Sequence, residues 1–79
     1  MRTIDNPADI RVFRTNLGED AQLRLVQPLL DAHPAVRKWN VDRHDVDQVL
    51  RVVVLPGTLS EEIIRLVQEA GCECEELPD

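Results

Sequence analysis

Two cysteines near the C-terminus, Cys72 and Cys74, have the spacing C-x-C and could act as metal ligands. Thiolates bind soft Cu(I), and Zn(II) commonly uses them as well. On a β-strand both side chains would face the same side, with Cβ atoms roughly 6.5–7 Å apart, too far for a relaxed disulfide but suitable for a shared metal. Small cysteines are also common core residues. The spacing therefore leaves two alternatives, a metal site and a structural pair.

Residues 17–23 (LGEDAQL) predict a loop that turns into a helix and carries two carboxylates at its start, Glu19 and Asp20. The first backbone N–H groups of a helix lack partners within the helix, so such a loop is suited to bind an anion or to hold a thiolate. Negative side chains are themselves stabilising at this end of a helix. We therefore expect the carboxylates to serve the helix rather than an external ligand.

The composition excludes several classes of function. No nucleophile stands beside a base at a recognisable spacing and no glycine-rich phosphate loop is present, so we expect no enzymatic activity. A formal net charge of −6, with Phe13 and Trp39 as the only aromatic residues, argues against a nucleic-acid surface. The chain has no apolar run of about 20 residues and its charged start lacks a signal-peptide segment. We therefore expect a cytoplasmic domain that does not enter the membrane.

Hydrophobic periodicity predicts six elements that position these residues. Strands are predicted at residues 10–16, 36–41, 49–55 and 72–77, and a helix from residue 19 to about residue 32 in which Pro28 makes a kink. A second helix, capped by Thr58 or Ser60, should end at a left-handed Gly71. The order β-α-β-β-α-β predicts one ferredoxin-like α/β domain over residues 1–79, with a core of about residues 10–77, a four-stranded antiparallel sheet and both helices on one face.

The face of the predicted sheet that lies away from the helices is a candidate interaction surface. Val49 and Val53 should lie on this face, flanked by Arg51 and Lys38, as an apolar strip with a basic rim. Such a strip suits a protein partner or self-association. In the first strand Ile10 and Val12 face opposite to Phe13, which predicts either a strand covered on both faces or a bulge.

The stretch FRTNLGEDAQLRLVQPLL follows the first strand. The stretch VRKWNVD forms the second strand, and SEEIIRLVQEAGC precedes the last. By their order and spacing the chain resembles the heavy-metal-associated domain of copper chaperones and metal-transporting ATPases. The resemblance is strongest to a bacterial subgroup with the loop T-N-x-x-C-x-x-C and a V-x-P segment in the helix. Thr15-Asn16 and Val26-Gln27-Pro28 match these landmarks.

The resemblance implies that the two metal-binding cysteines of the family are replaced here by Glu19 and Gln22. Neither residue is a ligand for Cu(I), and one carboxylate with one amide makes a poor oxygen cage for a hard cation. The resemblance therefore implies a degenerate metal site, no cofactor, and a non-catalytic interaction or regulatory module. The alternative is a metal-trafficking protein that binds Cu(I) or Zn(II) through Cys72 and Cys74.

Overall fold

The computed structural model describes residues 9–77, which form four strands and two helices. In chain order these are β1 (Asp9–Thr15), α1 (Asp20–Ala32), β2 (Val36–Asp42), β3 (Val49–Val54), α2 (Ser60–Glu69) and β4 (Cys74–Glu76). The strands make one antiparallel sheet in the order β2-β3-β1-β4, with both helices on one face. The predicted ferredoxin-like fold is confirmed. Residues 1–8 and 78–79, which belong to the predicted domain, lie outside the described part.

The core lies between the helices and the side chains of β3 that face them. Leu50, Val52 and Val54 alternate along β3 and are fully buried, as the period of a strand requires. Removing an aliphatic or aromatic side chain of this size from water contributes about 1.5–3 kcal/mol. The other buried apolar side chains packed with them are Phe13, Leu17, Val26, Leu30, Ile63, Val67 and Cys72.

Strand β1 is regular and is covered on one face. Phe13 pairs with Leu50 and is fully buried, and the register with β3 runs without a shift. Ile10 and Val12 lie on the opposite face, where Ile10 is 63% exposed. Within residues 9–77, β1 has no bulge and no second layer covers Ile10, so both predicted alternatives are wrong for this part of the chain. Instead, the open face of the sheet carries aliphatic side chains.

Helix α1 keeps its predicted extent. Glu19 is its N-cap residue, and the helix continues through the exposed Pro28 as far as Ala32. Proline lacks a backbone N–H, so the position loses one helical hydrogen bond without ending the helix. Val26 and Leu30 form the buried side of α1, as the helical period predicts.

Helix α2 begins one residue away from the predicted caps. Its N-cap is Leu59, whose backbone N–H donates to Oε2 of Glu62 at 3.2 Å. The Thr58 hydroxyl instead donates to the carbonyl of Leu55 at 2.7 Å and closes the preceding turn. The prediction of Thr58 or Ser60 as the cap is therefore wrong, because the Thr58 side chain is already engaged.

Helix α2 ends as predicted, at a left-handed Gly71 with φ of +87°. The N–H of Gly71 donates to the carbonyl of Gln68 at 2.9 Å, and the N–H of Cys72 donates to that of Val67 at 3.2 Å. This pair of bonds is the Schellman motif, which satisfies the last carbonyls of a helix. The motif places Cys72 in the core two residues before β4, so the last strand is shorter than the predicted residues 72–77.

None of the helices within residues 9–77 has the length and apolar composition needed to cross a membrane.

Candidate functional site

Of the two positions that the resemblance assigns to metal ligands, Glu19 ends the loop between β1 and α1, and Gln22 lies in the first turn of α1. The backbone N–H of Glu19 donates to Oε1 of Gln22 at 3.2 Å, and the N–H of Gln22 donates to the carbonyl of Glu19 at 3.1 Å. The side-chain oxygen of Gln22 therefore accepts a hydrogen bond at the start of α1. The two residues satisfy each other as part of the helix cap.

A guanidinium lies at the mouth of this loop. Nε and Nη2 of Arg43, from the turn between β2 and β3, donate to the carbonyl of Gly18 at 3.2 and 3.0 Å. Nη1 of Arg43 lies 2.9 Å from Oδ1 of Asp20. All three guanidinium nitrogens thus contact the loop or the first turn of α1. Arg43 is 25 residues from Gly18, and nothing in its charged turn identifies this role in the sequence.

Three further hydrogen bonds hold the loop in place. The N–H of Leu17 donates to Oγ1 of Thr15 at 3.1 Å, and Oγ1 of Thr15 donates to the carbonyl of Gln48 at 2.6 Å. Oδ1 of Asn16 accepts from the N–H of Glu73 at 2.9 Å. Thr15 and Asn16, which carry part of the family resemblance, therefore fasten the loop to the β2–β3 turn and to the chain before β4.

Gly18 allows the loop to pack closely on the same turn. A Cβ atom at this position would stand 3.0 Å from Cδ of Gln48, tighter than ordinary van der Waals contact. The Gln48 side chain thus fills the space beside the loop. Gln48 and Arg43 thus both contact the loop from the β2–β3 turn. We call residues 16–19, with these contacts, the closed loop.

The donor atoms of the closed loop do not suit Cu(I). The side chains at its helix end are the oxygen donors Glu19, Asp20 and Gln22, and Asp20 is paired with Arg43. Cu(I) selects thiolates and thioethers over such oxygens. Across residues 9–77, no group of three or more His, Cys, Asp or Glu side chains is arranged to hold a metal ion. Because two thiolates are enough to bind Cu(I), this absence does not exclude a site formed by Cys72 and Cys74 alone.

Both cysteines are free thiols on the helix side of the sheet. Cys72 is only 6% exposed and belongs to the core, whereas Cys74 is half-buried, packs against the core and pairs with Thr15. Burial raises the pKa of the Cys72 thiol, and burial raises the pKa of Cys74 to about 12. A neutral thiol is a poor metal ligand, because the thiolate is the form that binds.

The same two cysteines line one open cleft of about 460 Å³ beside β4. Its walls come from the end of β1, the β2–β3 turn, the C-terminal part of α2 and β4. The lining residues are Arg14, Thr15, Val46, Asp47, Gln68, Cys72, Glu73, Cys74 and Glu75. Both cysteines line this one cleft, which is the geometric observation in favour of a relocated metal site.

Two rows of side chains cross the open face of the sheet. The strand register places Lys38, Val53 and Ile10 in one row, and Asn40, Arg51 and Val12 in the next. A groove of about 190 Å³ lies here, lined by Ile10, Lys38, Trp39, Asn40, Arg51 and Val53. Of the residues predicted for an interaction face, Lys38, Arg51 and Val53 are therefore brought together. We call the two rows the open-face patch.

Val49 is the exception, because it is only 6% exposed. It follows directly on the β2–β3 turn, which Thr15 holds against β1 through bonds to the carbonyls of Asp47 and Gln48. Because its side chain is buried beside this turn, the prediction of Val49 as an exposed contact residue is wrong. Ile10 and Val12 provide aliphatic surface in its place, and the apolar residues on both sides of β1 were the sequence signal for it.

The fold has close counterparts among solved copper-protein structures. The yeast copper transporter domain Ccc2a, in its apo and Cu(I)-loaded states, has a TM-score of 0.73 and 18% identity over 89% of this chain and 96% of that one. The apo heavy-metal-associated domain of the copper chaperone for superoxide dismutase has a TM-score of 0.71 and 16% identity over 99% and 78%. The structure of the Atx1–Cu(I)–Ccc2a complex has a TM-score of 0.72 and 18% identity over 89% of this chain and 96% of that one.

These likenesses show the fold, which is that of heavy-metal-associated domains. No protein-family model matches the chain, and no curated protein matches it in sequence.

Proposed function

We propose that this chain is a metal-independent, non-catalytic protein-interaction domain built on the copper-chaperone fold. The observation that carries the proposal is the closed loop, in which the Arg43 guanidinium binds Gly18 and Asp20. A cation supplied by the chain itself lies at the mouth of the loop that the resemblance assigns to metal. The domain can then present one fixed surface whether or not a metal is available.

The charge of the loop supports this proposal. Two thiolates with one bound Cu(I) would carry one net negative charge, and Glu19 beside the neutral Gln22 carries the same charge without metal. Negative charge is stabilising at the start of α1. By the resemblance, the two replacements keep the formal charge at these two positions while removing the thiolate ligands.

Association between proteins is compatible with this fold. In the Atx1–Cu(I)–Ccc2a complex, a domain similar to this chain is assembled with another protein and with Cu(I). We propose that the present domain also assembles with a protein but needs no ion to do so. The open-face patch is the surface we assign to this role.

Titration with Cu(I) against a competing chelator, under reducing conditions, tests the loss of the metal site. Wild-type protein should not bind Cu(I) at the loop. The double change Glu19→Cys, Gln22→Cys should bind about one equivalent, because it restores two thiolates at a helix start. Stoichiometric binding by wild type that Glu19→Ala abolishes would contradict the proposal.

The second candidate function is metal trafficking through Cys72 and Cys74, which share the cleft beside β4. The raised pKa values of both thiols oppose it. The same titration distinguishes the two functions, since Cys72→Ser with Cys74→Ser would remove binding at this place and leave the loop unchanged.

A further inference from the structure

We propose that the open-face patch binds an acidic, amphipathic helix of a partner protein. This inference rests on the proposed function, because it specifies the kind of partner that the interaction domain takes.

The patch concentrates positive charge on an acidic protein. The chain has 15 acidic and 9 basic residues, yet Lys38 and Arg51 project from neighbouring strands on the open face. Neither makes an ion pair with another residue in the range 9–77, whereas Arg14 on the same face is paired with Glu75. Two neighbouring cations without an ion pair among residues 9–77 favour an acidic partner and disfavour packing of this face against the same face of a second copy.

Aliphatic side chains lie directly beside these cations. Ile10 is 63% exposed and stands in one row with Val53 and Lys38, and Val12 stands in the next row with Arg51. The distance across three strands is about 10 Å, close to the diameter of a helix with its side chains. One helix can therefore place leucines on Ile10, Val12 and Val53 and carboxylates on Lys38 and Arg51.

The two edges of the sheet are poor places for a partner strand, which favours docking on the face. Edge strand β2 has a register shift between Val36 and Lys38, and a bulge with a lysine is a common protection against strand addition. The other edge strand, β4, has three residues, two of them glutamates. A partner therefore gains more by packing side chains on the open face, as helices do on sheets.

The experiment uses three synthetic helical peptides and ¹⁵N- and methyl-labelled protein. The first peptide carries leucines on one face and glutamates on the other, the second has lysines for glutamates, and the third has alanines for leucines. We expect the first peptide alone to shift the resonances of Ile10, Val12, Arg51 and Val53. Lysine in place of glutamate or alanine in place of leucine should weaken binding about tenfold or more.

Variants then test the charges. Lys38→Glu with Arg51→Glu should abolish binding of the acidic peptide and allow binding of the basic one. Arg24→Glu with Arg65→Glu is the matched control, since it changes the net charge equally on exposed helix positions and should leave binding unchanged. Should the first pair unfold the protein, as judged by circular dichroism, Lys38→Gln with Arg51→Gln provides the test and should weaken binding.

Several results would overturn the inference. These are equal binding of acidic and basic peptides, shifts confined to the helix side, and loss of binding in the matched control. Self-association by sedimentation that Lys38→Glu with Arg51→Glu removes would identify a second copy as the occupant, and capture by anionic vesicles would identify a membrane. Copper binding by wild type would contradict the proposed function, whereas the peptide experiments would still test the inference about the open-face patch.

Discussion

The protonation state of the Cys72 and Cys74 thiols determines whether these two residues can act as metal ligands or only as structural side chains. Both pKa values are raised because burial penalises the charged thiolate, and that of Cys74 reaches about 12. The thiolate fraction at neutral pH is therefore much smaller than for a free cysteine, whose pKa is about 8.5. We therefore expect both side chains to act chiefly as small apolar groups in the folded domain.

Alkylation with iodoacetamide tests this assignment. At pH 8 the folded protein should be labelled far more slowly than the protein in urea, and the folded rate should still be rising with pH above pH 9, since thiolate continues to form up to the raised pKa. Adding Zn(II) or Cu(I) should not change the folded rate. Rapid labelling at pH 8 that either metal suppresses would instead identify Cys72 and Cys74 as an accessible metal site.

At the scale of elements, Arg43 joins the β2–β3 turn to the start of α1. Its contacts with Gly18 and Asp20 are exposed, so the stability that they contribute is small. Their effect should be local, because they hold a loop whose other bonds come from Thr15 and Asn16. The guanidinium orders the loop more than it stabilises the fold.

We expect Arg43→Ala to lower the free energy of unfolding by less than about 1 kcal/mol. Amide hydrogen exchange at Gly18 and Glu19 should become faster, since local opening loses one of the contacts that opposed it. Arg24→Ala on the exposed side of α1 serves as the control and should change neither quantity. Unchanged exchange in Arg43→Ala would show that the loop closes without the guanidinium.

At the scale of the whole molecule, stability depends on one small core. A chain of 79 residues has a free energy of unfolding of about 4–12 kcal/mol. Phe13 is fully buried at the centre of the sheet, opposite Leu50. Losing its ring removes a large share of the apolar contacts between the sheet and the helices.

Phe13→Ala should therefore cost about 3–5 kcal/mol and leave a substantial fraction of the protein unfolded. Ile10→Ala, on the exposed face of the same strand, should change stability by less than about 0.5 kcal/mol. Urea unfolding followed by circular dichroism and by the fluorescence of Trp39 measures both. Equal losses in the two variants would mean that the open face contributes to stability as much as the core does.

Local hydrophobic patterns were sufficient to predict the elements and their order. Each strand and helix is specified by a hydrophobic period that can be read within about ten residues, and Gly71 ends α2 through a local backbone requirement. The cap of α2 was missed by one residue because the Thr58 hydroxyl has a competing partner three residues back. The placement of Lys38, Arg51 and Val53 on one face also followed from strand alternation.

The closure of the loop and the exposure of individual valines depend on contacts between distant residues, which the local patterns did not predict. Arg43 reaches Gly18 across 25 residues, and Asn16 meets Glu73 across 57. Val49, beside the turn that is bonded to Thr15, is only 6% exposed, whereas Ile10 on the same face is 63% exposed. Such contacts depend on which loops the sheet order brings to the same end of the molecule, and no periodicity in the sequence encodes the positions of single side chains there.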